Sequence, residues 1–225
     1  MVAPLAVDID GTLSREDRSI DSRVMDVLRE WDAPVVIATG KALPYPIALC
    51  QFVGVEQRVV AENGGVAFAN DELFYFGDRE GADAVAREFV EAGYDLGWGD
   101  SDVVNRWRET ELAVSREQPL DVLTEIATKH GMGVVDSEFA YHVKEPTVSK
   151  GDALLTVAEE LGYEATDFVA VGDSANDVEL FEASGRAYAV ANAAEEAKAA
   201  ADVVVEASYA DGFLEAVELV LDRDA

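Results

Sequence analysis

The feature that most constrains this chain is a buried-strand run that closes on two acids. Residues 4–9 are apolar and rich in branched side chains, and they deliver Asp8 and Asp10, one residue apart, followed by Gly11 and Thr12. Side chains alternate along a strand, so the two carboxylates share a face wherever the extended geometry holds. Gly11 allows the backbone to turn tightly just beyond them. Acids at the carboxyl end of a parallel strand stand where open α/β sheets hold their ligands. Taken by itself, the run also fits a plain strand with an acidic turn.

The same pattern recurs further along. Residues 35–39 form a second apolar run, ending on Thr39 and Gly40, and residues 168–172 a third, ending on Asp173, Asn176 and Asp177. Helical periodicity fills the intervals. A first helix is expected over 19–31, with Ile20, Val24, Val27, Leu28 and Trp31 on one face and Ser19 or Asp21 as its cap. A second is expected over 43–53, entered through Pro44 and Pro46 and stopped by Gly54. Later helices are expected over 150–161, 175–183, 193–200 and 212–221, with strands over 58–61, 186–190 and 202–205. Strands alternating with helices imply a mostly parallel sheet covered on both faces, a doubly wound, Rossmann-like α/β core. Asn63-Gly64 reads as a tight hairpin turn, and Asn70-Asp71 as a second turn between two short strands.

Between residues 79 and 147 the order changes to α-β-α-β-β: helices over 81–92 and 120–130, strands over 111–115, 133–136 and 139–144. The expected organisation is therefore a core built from 1–78 and 148–225, with a small α/β domain, 79–147, inserted in it.

Composition narrows the function classes. Forty-six acids against 17 Lys and Arg give a formal charge of −29, spread along all 225 residues. Such a surface repels itself in dilute buffer and is screened in molar salt, which points to a halophile's protein. Nucleic acid and anionic membranes are poor partners for it. No apolar run approaches the roughly 18 residues a membrane span needs, and the first strand begins too early to leave room for a signal peptide. Cys50, the single cysteine, falls in an apolar helical pattern and reads as a buried small hydrophobe. A cytoplasmic monomer or homodimer is expected.

Asp8-x-Asp10-Gly11-Thr12, Thr39-Gly40, Lys150 before a helix, and Gly172-Asp173-x-x-Asn176-Asp177 together resemble the four motifs of the haloacid dehalogenase superfamily of aspartyl-phosphate phosphatases. The resemblance spans the chain in motif order and implies that 79–147 is a type-2 cap. It implies that Asp8 is the nucleophile and Asp10 the general acid and base. It implies Mg²⁺ on the Asp8 carboxylate, the Asp10 carbonyl and Asp173, with Asp177 acting directly or through water. Thr39, Gly40, Lys150 and Asn176 are implied to bind the substrate phosphate or orient it. Lys41 stands where many relatives carry arginine, so no role carries over to it. Asn63 either faces a ligand or only shapes a turn, and residues 105–108 either meet a substrate carboxylate or form a solvated loop. His130 and His142 lack metal-ligand spacing.

Within the superfamily the wording of the motifs resembles that of archaeal phosphoglycolate phosphatases. That implies a small phosphate ester as substrate, 2-phosphoglycolate first and a sugar phosphate as the alternative. A phosphoryl-accepting regulatory domain without turnover is the alternative of another class. A two-carbon acid needs a cation for its carboxylate, and Arg106, Arg108, Arg116, Lys129 and Lys144 are the candidates in 79–147.

Overall fold

The computed structural model describes residues 2–137 and 139–224. Its frame is an eight-stranded sheet. The strands are β1 (Leu5–Val7), β2 (Val35–Ala38), β3 (Val59–Ala61), β4 (Val66–Ala69), β5 (Glu72–Tyr75), β9 (Val169–Gly172), β10 (Arg186–Ala189) and β11 (Val203–Val204). Their order is β11-β10-β9-β1-β2-β3-β4-β5, parallel from β11 to β3 and antiparallel for β4 and β5. In register, Ala6 lies between Val36 and Ala170. β1, β2, β3 and β9 are buried along their whole length, as strands covered on both faces must be, and so they read as unbroken apolar runs.

Helices α1 (Ser22–Glu30), α2 (Pro44–Val53), α5 (Lys150–Leu161), α6 (Val178–Ala183), α7 (Glu195–Ala200) and α8 (Tyr209–Asp224) accompany this sheet. The Asp21 carboxylate caps α1, accepting from the Arg23 N–H at 2.9 Å. Two arginines share Asp21, and the hydrogen bonds from Arg23 hold its carboxyl far below the usual carboxylate range. Ser149 caps α5 and Gly162, at φ 77°, ends it, so its sequence limits and its structural limits coincide.

The second sheet is smaller, with β6 (Leu112–Ser115), β7 (Gly133–Asp136) and β8 (Ala140–Lys144) in the antiparallel order β6-β8-β7. Helices α3 (Arg79–Glu91) and α4 (Leu120–Lys129) belong with it, and Val85, Phe89, Leu123, Val114 and Val143 form an apolar core of its own. Cys50 is fully buried in the main core, and burial pushes its thiol up to about 11.

Three expectations are corrected. Asn63-Gly64 is not a two-residue hairpin turn: β3 and β4 pair Ala61 with Val66, and residues 62–65 form a single helical turn between them. The helix expected over 175–183 is divided, Ala175–Asp177 forming a separate tight turn before α6. Helix α8 starts earlier than residue 212. A Cβ on Gly212 would stand 2.5 Å from the Ala207 carbonyl, so this glycine allows close packing inside the helix and does not mark its start. The Asn70-Asp71 turn holds, both residues having positive φ between Ala69 and Glu72.

Candidate active site

Because β1 lies between β2 and β9, the carboxyl ends of three neighbouring strands bring Asp8, Thr39 and Asp173 to one place. Beyond Asp8 the chain turns through Gly11 at φ 84°. A Cβ there would stand 2.0 Å from Asp173 Oδ2, so only glycine lets the first strand's turn pass the acid of the third. Thr12 Oγ1 donates to Asp173 Oδ1 at 3.1 Å.

Lys150 opens α5 and is fully buried. Its ammonium donates to Asp8 Oδ1 at 2.8 Å and to Asp177 Oδ1 at 2.7 Å. The second oxygen of Asp177 accepts the backbone N–H groups of Asp173 and Ser174, both at 3.0 Å. Asp8, Asp173 and Asp177 each offer an oxygen within 4.8 Å of the others. Three carboxylates face one ammonium. Burial first, and then mutual repulsion, raise the pKa of Asp8 and Asp173 although Lys150 pulls the other way. An all-oxygen donor set with surplus negative charge suits a hard divalent cation.

Asp10 stands apart from this cluster. Its carboxylate is half exposed and pairs with Lys41 Nζ at 2.7 Å, which gives the departing residue at position 41 a definite place. Thr39 is buried, and its hydroxyl accepts the Lys41 N–H at 3.2 Å. Asn176 Nδ2 donates to Asn63 Oδ1 at 2.9 Å.

Asn63 is more than a turn residue. It is buried at φ 54°, and its Nδ2 donates to Glu111 Oε2 at 2.8 Å. Glu111 Oε1 accepts from His142 Nδ1 at 2.9 Å and from Arg108 Nη1. Burial, with Arg108, Lys150 and Lys144 nearby, drives His142 well below the ordinary imidazole value, so it is neutral; the carboxylate fixes its proton on Nδ1. Beside Asn63, the carboxylate of buried Glu62 accepts the N–H groups of Glu109 and Thr110, each at 2.8 Å, and the Thr110 hydroxyl at 2.8 Å. Sequence reasoning missed Glu62 and Glu111, because partners 48 residues apart leave no local pattern.

The five candidate bases separate clearly. Lys129 pairs with Glu88 at 3.0 Å and Arg116 with Asp136 at 3.0 Å, while Arg106 is exposed. Lys144 donates to the carbonyls of Glu145 and Val148. Arg108 reaches the loop after β2, donating to the Gly40 carbonyl at 3.0 Å. A cavity of about 450 Å³ is lined by Asn63, Lys144, Ser149, Lys150 and Asn176 with residues of β7, and Arg108 is not part of its lining.

The chain matches the model of the haloacid dehalogenase-like hydrolase family over residues 5–86 and 112–217. It is 66% identical over 217 residues to a phosphoglycolate phosphatase of Halobacterium salinarum, covering 96% of each chain. It is 60% identical to a phosphoglycolate phosphatase of Natronomonas pharaonis, covering 99% of this chain and 100% of that one. A solved structure from Thermoplasma acidophilum superposes with a TM-score of 0.84 at 27% identity, over 98% of both chains. A haloacid dehalogenase-like hydrolase from Bacteroides thetaiotaomicron shares the fold, with a TM-score of 0.79 at 19% identity over 98% of this chain and 100% of that one. The acid-bearing strand ends, the buried lysine between two of the acids and these matches agree: the chain belongs to the haloacid dehalogenase-like hydrolase family.

Proposed function

We propose that this protein is a Mg²⁺-dependent phosphatase that hydrolyses 2-phosphoglycolate to glycolate and phosphate through an aspartyl-phosphate on Asp8. The observation that carries the reading is the buried Asp8–Lys150–Asp177 bridge with Asp173 beside it. It supplies a nucleophile, a fixed cation and a cation site in one cluster. The relatives at 66% and 60% identity supply the substrate.

Asp8 attacks phosphorus, and the bond to the leaving oxygen breaks as the acyl phosphate forms. Asp10 donates its proton to that oxygen, then takes one from the water that hydrolyses the intermediate. Lys41 holds the Asp10 carboxylate from outside the cluster, so the acid is positioned between the two steps. Thr39 and the Gly40 N–H hold phosphate oxygens, and Lys150 offsets their charge. Asp8, the Asp10 carbonyl and Asp173 would hold Mg²⁺. Three of the roughly four acceptor sites on Asp177 are taken by Lys150 and two N–H groups, which leaves one to meet the metal directly or through water. When bound, the metal neutralises the repulsion between carboxylate and phosphate dianion.

Residues 79–147, with their own sheet and apolar core, are the cap that covers the leaving group and excludes water. The fold places no apolar helix long enough to cross a membrane among the described residues, and we place the enzyme in the cytoplasm.

A screen of small phosphate esters in molar KCl with Mg²⁺ tests this. The highest kcat/KM is expected on 2-phosphoglycolate, with Asp8→Asn removing turnover. A sugar phosphate hydrolysed far better would replace the substrate, and near-native activity of Asp8→Asn would end the covalent mechanism.

A further inference from the structure

We propose that Arg108 determines specificity by pairing, through its Nε–Nη2 edge, with the carboxylate of the substrate's leaving group. This rests on the phosphoglycolate reading and extends it to one residue.

Arg108 is buried to 5% exposure, and its Nη1 is committed, donating to the Gly40 carbonyl and to Glu111. Its Nε is buried with no partner, and no hydrogen bond leaves Nη2 among the described residues. A buried donor without a partner is costly, so a native chain keeps one only where something else compensates. That edge, unpartnered but shut from solvent in this arrangement, is the two-donor fork that fits a carboxylate. Gly40, whose carbonyl anchors the other edge, is the residue whose N–H faces the substrate phosphate in the proposed mechanism. The guanidinium is therefore tied to the same loop that carries the proposed phosphate contact.

Glu111 does not cancel this role. Its oxygens are already occupied by Arg108 Nη1, His142 and Asn63, and none of these hydrogen bonds uses the Nε–Nη2 edge. Although burial lowers Arg108 to about 10, it stays charged at neutral pH. Lys144 is the rival cation, since it lines the cavity, but two backbone carbonyls of residues 145 and 148 occupy it.

The test compares 2-phosphoglycolate with ethyl phosphate, which replaces the carboxylate by a methyl group, on the Mg²⁺-loaded enzyme in molar KCl. The wild type is expected to prefer phosphoglycolate. Arg108→Lys keeps a charge and loses the fork, and should shrink that preference about tenfold to a hundredfold, mainly through KM. Should Arg108→Lys fail to fold, the pair Arg108→Gln with Glu111→Gln removes both charges together and carries the same expectation. A wild type without the preference would mean that the phosphoglycolate reading has failed. A preference present and unchanged in the variants, or equal losses on both esters, would overturn the role of Arg108 alone. So would a selective loss in Lys144→Gln instead.

Discussion

Lys150→Met is the most informative perturbation of the site, because methionine keeps an unbranched apolar stem and removes the charge together with its two hydrogen bonds. The ammonium is fully buried and shared by Asp8 at 2.8 Å and Asp177 at 2.7 Å. Its removal leaves three clustered carboxylates without a resident cation. Breaking a buried ion pair from one side costs about 3–5 kcal/mol. For a chain of this size that is a fall in Tm of about 6–20 °C. The loss depends on pH. Even with Lys150 in place, burial lifts Asp8 from 3.8 to about 7. A carboxyl whose folded pKa is raised holds its proton more tightly when folded. It destabilises the fold increasingly as pH rises from 3.8 through the raised value, and not at all below both. The deficit of the variant should therefore be small at pH 5 and large at pH 8 in EDTA. Mg²⁺ should recover part of it at pH 8, since a ligand of the folded state alone stabilises by mass action. Thermal unfolding followed by circular dichroism in molar KCl measures all four conditions. A deficit of the same size at both pH values, with and without Mg²⁺, would refute the idea that Lys150 is the counterion of the acid cluster.

Three further outcomes are expected. Asp10→Asn should lower turnover by about 10²–10⁴-fold while phosphate still transfers to Asp8, and Lys41→Met, which releases Asp10, should lower kcat more than it raises KM; steady-state and single-turnover kinetics separate the two steps, and full turnover in Asp10→Asn would contradict the assignment. With a charge of −29, the unfolding midpoint should rise from dilute buffer to molar KCl, and a midpoint highest in dilute buffer would contradict the halophilic reading.

What could be read from the sequence follows the range of the interactions. Asp8, Asp173 and Asp177 sit at or just beyond the ends of apolar runs, and the sheet order that sets β9 beside β1 unites them. Helix α5 was legible to its limits because its cap, its apolar face and its stop lie within 14 consecutive residues, Ser149 to Gly162. Asn63 misled because Asn-Gly suits a two-residue turn, whereas its side chain is committed to Asn176 and Glu111. Arg108 stood among five equivalent bases until the fold set it against Gly40, a neighbour 68 residues away. Gly212 looked like a helix boundary because a glycine's packing role is invisible until the neighbouring Ala207 and Val190 are in place.

The grip of Glu62 on the amides of Glu109 and Thr110 makes those two protons reporters of the site. Glu62 precedes Asn63, which in turn touches Asn176, so a ligand that orders these residues is expected to tighten the grip on residues 109 and 110 as well. Linkage is reciprocal, and the exchange rates of these amides with deuterium should slow in proportion to occupancy. The affinity of a phosphonate that is never turned over becomes readable from two backbone positions outside the catalytic motifs.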